Sequence, residues 1–262
     1  MKWSFTLVMT ASVSPNGMMG ISSESIVNRE RQYIDTLRFY ASQRCIDNIL
    51  FVENSNYPLG NIKNAVEEYS NKITWLSLDE NNYPREWGKG YGEFLLMDKA
   101  IKYLSEQYVG GEGVVIKVTG RFPILNIKTM IEEFARRRNL KLAIDIIDHR
   151  IFDILGLRWR GHCARTVLYA ITLKFYREKV MGRYKDIPFK YSSAEELMFA
   201  VYREAKDFPG IYPRFQTEPL MSGCSGSCNT TWLTANNYES RLSRIKRAIR
   251  QCVRIVAPYI WL

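Results

Sequence analysis

Three residues in one short stretch could together hold an anion. In "GVVIKVTGRFPILN" (113–126) a core-like run of Val114, Val115, Ile116 and Val118 carries a lysine and then breaks into Thr119-Gly120-Arg121. Strand side chains alternate between faces, so Lys117, Thr119 and Arg121 share one side. Two cations on one face of a core strand require a counter-charge, because unpaired buried charge is costly. Glu53, Asp79 and Asp145 could supply it from within the chain. An anionic ligand is the other source, and Gly120 removes the side chain where one would approach. The chemistry that suits this set is phosphate binding.

Other stretches can join it. Thr10 and Ser12 lie at the polar end of the first strand. "VENS" (52–55) places Glu53 and Asn54 where a second strand ends, and a carboxylate and an amide there can bond a ribose or a base edge. The same residues are also ordinary loop starters. "GKGYGE" (88–93) reads as a glycine-rich loop just before a helix. Lys89 adds a mobile charge, Gly90 lets the backbone come close, and a helix N-terminus offers N–H groups to phosphate. The pattern is neither a Walker loop nor a dinucleotide fingerprint, and an ordinary turn would look the same. Arg29 and Arg31 open the first long helix. Arg29 is placed to reach over the sheet, and Arg31 reads as a solvated helix residue.

The chain has 262 residues, is 46% hydrophobic and 13% aromatic, and carries a net charge of +10. That excludes disordered and disulfide-scaffold classes and favours an anionic partner. Its five cysteines form no framework, and only His149 and His162 could add imidazole ligands, so free thiols in a reducing compartment are expected. No metal site is expected from these residues. The opening "MKWSFTLVMTASV" reads as a core strand rather than a targeting segment, and no run approaches the roughly 18 apolar residues of a membrane span.

Strand and helix patterns alternate through residue 150, which predicts an α/β fold with a mostly parallel sheet flanked by helices. Asn126 is the predicted N-cap of the helix that follows the phosphate-binding stretch. Ligands in such sheets bind beyond the carboxyl ends of the strands. Residues 1–150 are assigned to an α/β half and 151–238 to a helical, loop-rich half of the same domain. Helices are predicted over 165–184 and 193–207. Residues 239–262 are read as a basic amphipathic helix, with Leu242, Ile245, Ile249, Cys252 and Val256 at helical spacing among arginines and lysines.

The order of "NILFVENS", "GKGYGEFLLMDKAI" and "GEGVVIKVTGRF" resembles the nucleotide-sugar-binding half of GT-A-fold (Rossmann-like) glycosyltransferases. In them the second strand ends in an acidic, small-polar run, a glycine-rich stretch opens a helix, and the next strand carries an Asp-x-Asp that holds a divalent metal. The stretch from Lys117 to Phe122, followed by Asn126, is also similar to a K-x-T-G-R-aromatic segment of bacterial polysaccharide (capsule and O-antigen type) glycosyltransferases. The resemblance implies nucleotide-sugar binding for residues 1–150 and binding of a glycan or lipid-linked acceptor for 151–238. It also implies donor contacts from Thr10, Ser12, Arg29, Glu53, Asn54, Lys89, Gly90, Lys117, Thr119, Gly120 and Arg121. This sequence departs from the pattern in lacking Asp-x-Asp. A divalent metal remains one way to meet the leaving diphosphate. The other, expected here, is that Lys117 and Arg121, with Lys89, replace it in a metal-independent transfer.

An inverting transfer needs a general base. "DIIDHR" offers Asp148 first and Asp145 second, with Glu195, Glu196 and Glu218 as rivals. Two other classes compete with this reading. A sugar nucleotidyltransferase usually bears basic residues directly after its first strand, and "SVSPNGMMG" has none. A nucleic-acid-binding protein would explain the charge, but the basic residues concentrate in the tail and in "ARRRNLK" without interleaved aromatics. The expected setting is cytoplasmic, with the C-terminal helix available for peripheral contact with an anionic inner membrane face.

Overall fold

The computed structural model describes residues 5–15, 25–107, 113–149, 154–156, 161–224, 231–232 and 241–257. The predicted alternation is present in its first part. β1 (Phe5–Ala11), α1 (Ile26–Ala41), β2 (Asn48–Glu53), α2 (Gly60–Ala65), β3 (Ile73–Ser77), α3 (Gly88–Gln107), β4 (Val114–Thr119), α4 (Ile127–Arg136) and β5 (Leu142–Asp148) follow one another. Then come β6 (His162–Thr172), α5 (Leu173–Lys179), α6 (Ala194–Ala205), β7 (Ile211–Tyr212), a small pair formed by β8 (Gly223–Cys224) and β9 (Thr231–Trp232), and α7 (Arg241–Val256).

Seven strands form one sheet in the order β3-β2-β1-β4-β6-β5-β7, parallel throughout except for β6, which runs antiparallel to both β4 and β5. This is the mostly parallel α/β sheet flanked by helices expected of the chain. Alternate residues of each strand feed two apolar layers. Leu7, Met9, Phe51, Ile116 and Val118 meet Tyr33, Leu37 and Tyr40 of α1 and Met130 and Phe134 of α4. Val8, Leu50, Val52 and Val115 meet Phe94, Met97 and Ile101 of α3, Tyr176 of α5 and Leu197 and Val201 of α6. Lys117 falls on this second face, toward α3.

Three local expectations are corrected. The helix predicted from residue 165 is strand β6 up to Thr172, and helix α5 begins only at Leu173, capped by the Thr172 hydroxyl. β6 lies inside the sheet with helices over both faces. Leu168 and Ala170 join one layer, and Tyr169 and Ile171 the other. A strand buried on both faces shows a continuous apolar run rather than alternation, and such a run does not declare its period. Second, "GKGYGE" is the opening of α3, not a loop before it. A Cβ on Gly90 would stand 2.8 Å from the backbone nitrogen of Ala194, and one on Gly92 would stand 2.0 Å from the Tyr83 hydroxyl. These glycines let α6 and Tyr83 close on α3. Third, Asn126 stands at the N-cap position of α4 as expected, but its side chain makes no capping hydrogen bond. Its amide donates to the Glu218 carbonyl (2.9 Å) and accepts from the Leu220 N–H (2.8 Å), pinning a distant loop.

Helix α7 is docked by its polar side. Arg250 bonds the Glu218 carboxylate, Gln251 bonds the Gln216 carbonyl, and Arg254 reaches Asp145. At about 100° per residue the opposite side carries Ile245, Ile249, Cys252 and Val256, and all four are exposed, Val256 to 80%.

Gly90→Ala is expected to destabilise the protein by about 1 kcal/mol. Overpacking costs about 1–3 kcal/mol, which outweighs alanine's gain of about 1 kcal/mol in helix propensity. Urea melts of the two proteins check this; an unchanged midpoint would show that separating α3 from α6 costs no more than the gain in helix propensity.

Candidate active site

The carboxyl ends of β1, β2 and β4 lie on one edge of the sheet. Because β6 is antiparallel, it is its beginning that reaches the same edge. A cleft of about 400 Å³ opens there. Thr10, Ala11 and Ser12 contribute from β1 and its end, Asn54 from beyond β2, and Thr119, Arg121 and Phe122 from β4 and its end. Helix α3 adds Lys89, Gly92 and Glu93, α1 adds Arg29 and Tyr33, and β6 adds Cys163, Arg165 and Thr166. Asp145 and Glu195 complete the charged lining.

Seven of the eleven expected donor-binding residues therefore stand on this wall: Thr10, Ser12, Arg29, Asn54, Lys89, Thr119 and Arg121. The other four lie behind it. Glu53 is buried, and its carboxylate accepts the N–H groups of Val13 (3.1 Å), Ser55 (3.0 Å) and Tyr57 (3.3 Å). It ties the loop after β1 to the loop after β2 and so sets Asn54 in place. Gly90 packs on α6. Gly120 leaves no room for a ligand, because a Cβ there would meet the Thr10 carbonyl at 2.7 Å and the Tyr33 ring at 2.9 Å.

Lys117 is the main displacement from expectation. Its side chain is 0% exposed. The ammonium is ion-paired with Glu93 and donates to the Thr166 carbonyl at 2.7 Å and to the Thr119 hydroxyl at 3.3 Å. It faces the floor of the cleft from beneath. Neither Glu53, Asp79 nor Asp145 is its partner. Glu93 was hidden from sequence reading because it sits in the stretch assigned to a loop, whereas it lies one and a half turns into α3.

Cations nevertheless gather on the wall itself: Arg29, Lys89, Arg121 and Arg165. Arg121 is almost buried and donates to Gln32 at 3.0 Å, with its guanidinium over the Phe122 ring. Arg29 reaches back to the Ser12 and Val13 carbonyls and holds the end of β1. Arg165 was missed because its segment reads as a helix. Asn54 offers a further clue. Its amide oxygen is buried and accepts no hydrogen bond among the described residues. Buried acceptors are rarely left so, and a ligand N–H or hydroxyl would complete it.

The expected acids separate. Asp145 lies on the wall but is 1% exposed and held by Arg254 (3.0 Å) and by the Phe215 N–H (2.9 Å). Asp148 is not on the wall. It pairs with the imidazole of His162 at 2.8 Å rather than with neighbouring His149. Of the rivals, Glu195, at the start of α6, is on the wall. Cys163 lines the cleft with its thiol pushed above the usual range, chiefly by burial. Among the described residues no three His, Cys, Asp or Glu side chains converge as a metal site would require.

No protein-family model matches the sequence, and no curated protein matches it either. Solved structures do. One assigned as a glucose-1-phosphate thymidylyltransferase from Bacillus anthracis, in complex with a sucrose, is 12% identical over 95% of each chain with a TM-score of 0.50. At that identity the likeness is one of fold. A 4-diphosphocytidyl-2C-methyl-D-erythritol synthase from Anaerococcus prevotii gives 17% identity, 95% and 96% coverage and 0.47. An active-site mutant of the galactosyltransferase LgtC gives 10%, 81% and 74%, and 0.47.

Removing the two partners of the buried ion pair should have unequal effects. Glu93→Ala leaves an ammonium with no solvent access and is expected to cost about 3–5 kcal/mol. Lys117→Met leaves a carboxylate that still reaches water and should cost clearly less. Denaturant melts compare them, and equal losses would mean that Lys117 finds another counter-charge.

Proposed function

We propose that the chain is a nucleotide-sugar-using transferase, and specifically a glycosyltransferase that moves a hexosyl group from a nucleotide sugar to a glycan or lipid-linked acceptor in bacterial surface polysaccharide synthesis. What supports this reading most is the set of four cations on a cleft at the carboxyl ends of parallel strands. Anions are bound there by charge and by the arginine fork. Asn54, with its unsatisfied oxygen, is set to meet the nucleoside. Arg121, Arg165 and Lys89 face the diphosphate.

The leaving nucleoside diphosphate gains negative charge as the glycosidic bond breaks. On this reading the wall cations stabilise that charge without a divalent metal, and Lys117 serves from below by fixing Glu93 and the β6 backbone at Thr166. An inverting attack requires removal of the acceptor proton. Glu195 is the favoured base. It stands on the wall, whereas Asp145 is engaged by Arg254 and Asp148 by His162.

Thermal-shift and turnover assays with UDP-, GDP-, CMP- and dTDP-sugars test the reading. One donor should raise Tm by several degrees, equally in EDTA and in Mn²⁺. Arg121→Ala should weaken that donor about tenfold or more, and Glu195→Gln should keep the shift but lose about 100-fold or more in turnover. Absolute dependence on added metal would overturn metal independence. Release of pyrophosphate from a nucleoside triphosphate and a sugar 1-phosphate would favour a nucleotidyltransferase, and strong salt-dependent binding of generic DNA or RNA would favour the nucleic-acid class.

Peripheral membrane contact is part of the proposal. No helix among the described residues is long and apolar enough to cross a membrane. The outward stripe of α7, with the exposed Lys246 beside it, instead suits an anionic bilayer surface. Ile249→Glu, a change at an exposed position, should abolish co-sedimentation with phosphatidylglycerol vesicles; undiminished binding would count against the contact.

A further inference from the structure

Beside the cleft lies an aromatic ledge that donor binding does not account for. It starts at Tyr83, whose side chain is cleft wall. The Tyr83 ring leans on Tyr91 (centroids 4.7 Å apart, 49° between planes), Tyr91 on Trp87 (4.6 Å, 54°), and Trp87 on Phe189 (6.2 Å, 66°). Tyr184 buttresses Tyr91 from the side at 5.0 Å. The ledge ends in the open, with Phe189 82% exposed. Its rings come from two separate places in the chain, the turn leading into α3 with the first turn of α3 itself, and the helical turn Ile187–Lys190 before α6. Gly92 is the device that admits Tyr83, since any side chain there would occupy the place of its hydroxyl.

An aromatic surface that runs from the open Phe189 ring over the half-buried Trp87 and Tyr91 to Tyr83 at a cleft is the form a binding surface takes. Three features bear on what it binds. It is continuous with the cleft through Tyr83, and Lys89, between Trp87 and Tyr91 in sequence, lies on the cleft wall too. The rings are mutually tilted, so they present a stepped surface rather than parallel slots for flat bases. Tyr91 and Tyr184 each combine an apolar ring with a hydroxyl. A pyranose has the matching form, with a C–H face that lies on an aromatic ring and a rim of hydroxyls that hydrogen-bond.

We propose that the Tyr83–Tyr91–Trp87–Phe189 ledge is a saccharide subsite that holds sugar rings of the acceptor as it enters the cleft. This rests on the transferase reading for the term acceptor, but binding of a saccharide by the ledge can be tested without it.

The experiment is an oligosaccharide array probed with the full chain, its Phe189→Ala variant and its Trp87→Ala variant, alongside the donor thermal shift. Phe189→Ala removes an exposed ring and should leave folding intact. The expected result is a saccharide bound by the parent protein and about tenfold more weakly by both variants, the loss typical of an anchoring aromatic, with the donor-induced shift unchanged. No saccharide bound by the parent protein, or binding undiminished in both variants, would overturn the proposal. So would a ledge that binds an oligonucleotide in preference to every saccharide. Saccharide binding lost in the variants, with no nucleotide sugar giving a shift in the parent protein, would sustain the ledge and reject the donor reading.

Discussion

The buried ammonium of Lys117 is the constraint around which the cleft is built. It lies in the middle of the sheet, on the strand that divides the parallel part from the antiparallel β6. Such a charge is tolerated only when paired and hydrogen-bonded. Its three partners come from three elements: Glu93 from α3, the Thr166 carbonyl from β6 and the Thr119 hydroxyl from β4 itself. Each partner belongs to a segment that also lines the cleft. The positions of the wall are therefore tied to one point beneath it.

A second set of contacts works in the same manner at the rim. Glu53 collects backbone N–H groups from the loops after β1 and β2, and Arg29 collects the carbonyls at the end of β1. Loops carry little order of their own, so buried charged side chains that saturate their backbone groups fix them where a ligand must find them. The acids of the cleft are thereby mostly committed: Glu93 to Lys117 and Asp145 to Arg254. The remaining character of the wall is set by its guanidinium and ammonium groups.

Much of this was legible in the sequence, and the failures share a cause. Strands β1 to β5 announce themselves by short apolar runs ending in polar or glycine-bearing residues, and five of the cleft-wall residues, Thr10, Ser12, Asn54, Thr119 and Arg121, follow from those ends. What periodicity could not supply was β6. A strand covered on both faces has no polar side to betray it, so Arg165 and Thr166 were placed in a helix. The glycines of "GKGYGE" raised the opposite problem. They allow a close approach, but of Ala194 and Tyr83 rather than of a ligand, and only tertiary structure distinguishes the two. With that stretch read as a loop, Glu93 could not be seen as a helical residue facing Lys117.

The Arg254–Asp145 pair joins helix α7 to the middle of β5, 109 residues away in sequence. Swinging the helix outward would strand a carboxylate that has no access to water, so α7 is held to the sheet as a rigid strut rather than hung from it as a tether. Its outward isoleucines and the mouth of the cleft then keep a constant angle to one another. Any surface that grips the strut also sets the attitude of the cleft, and with it the direction from which a substrate can arrive.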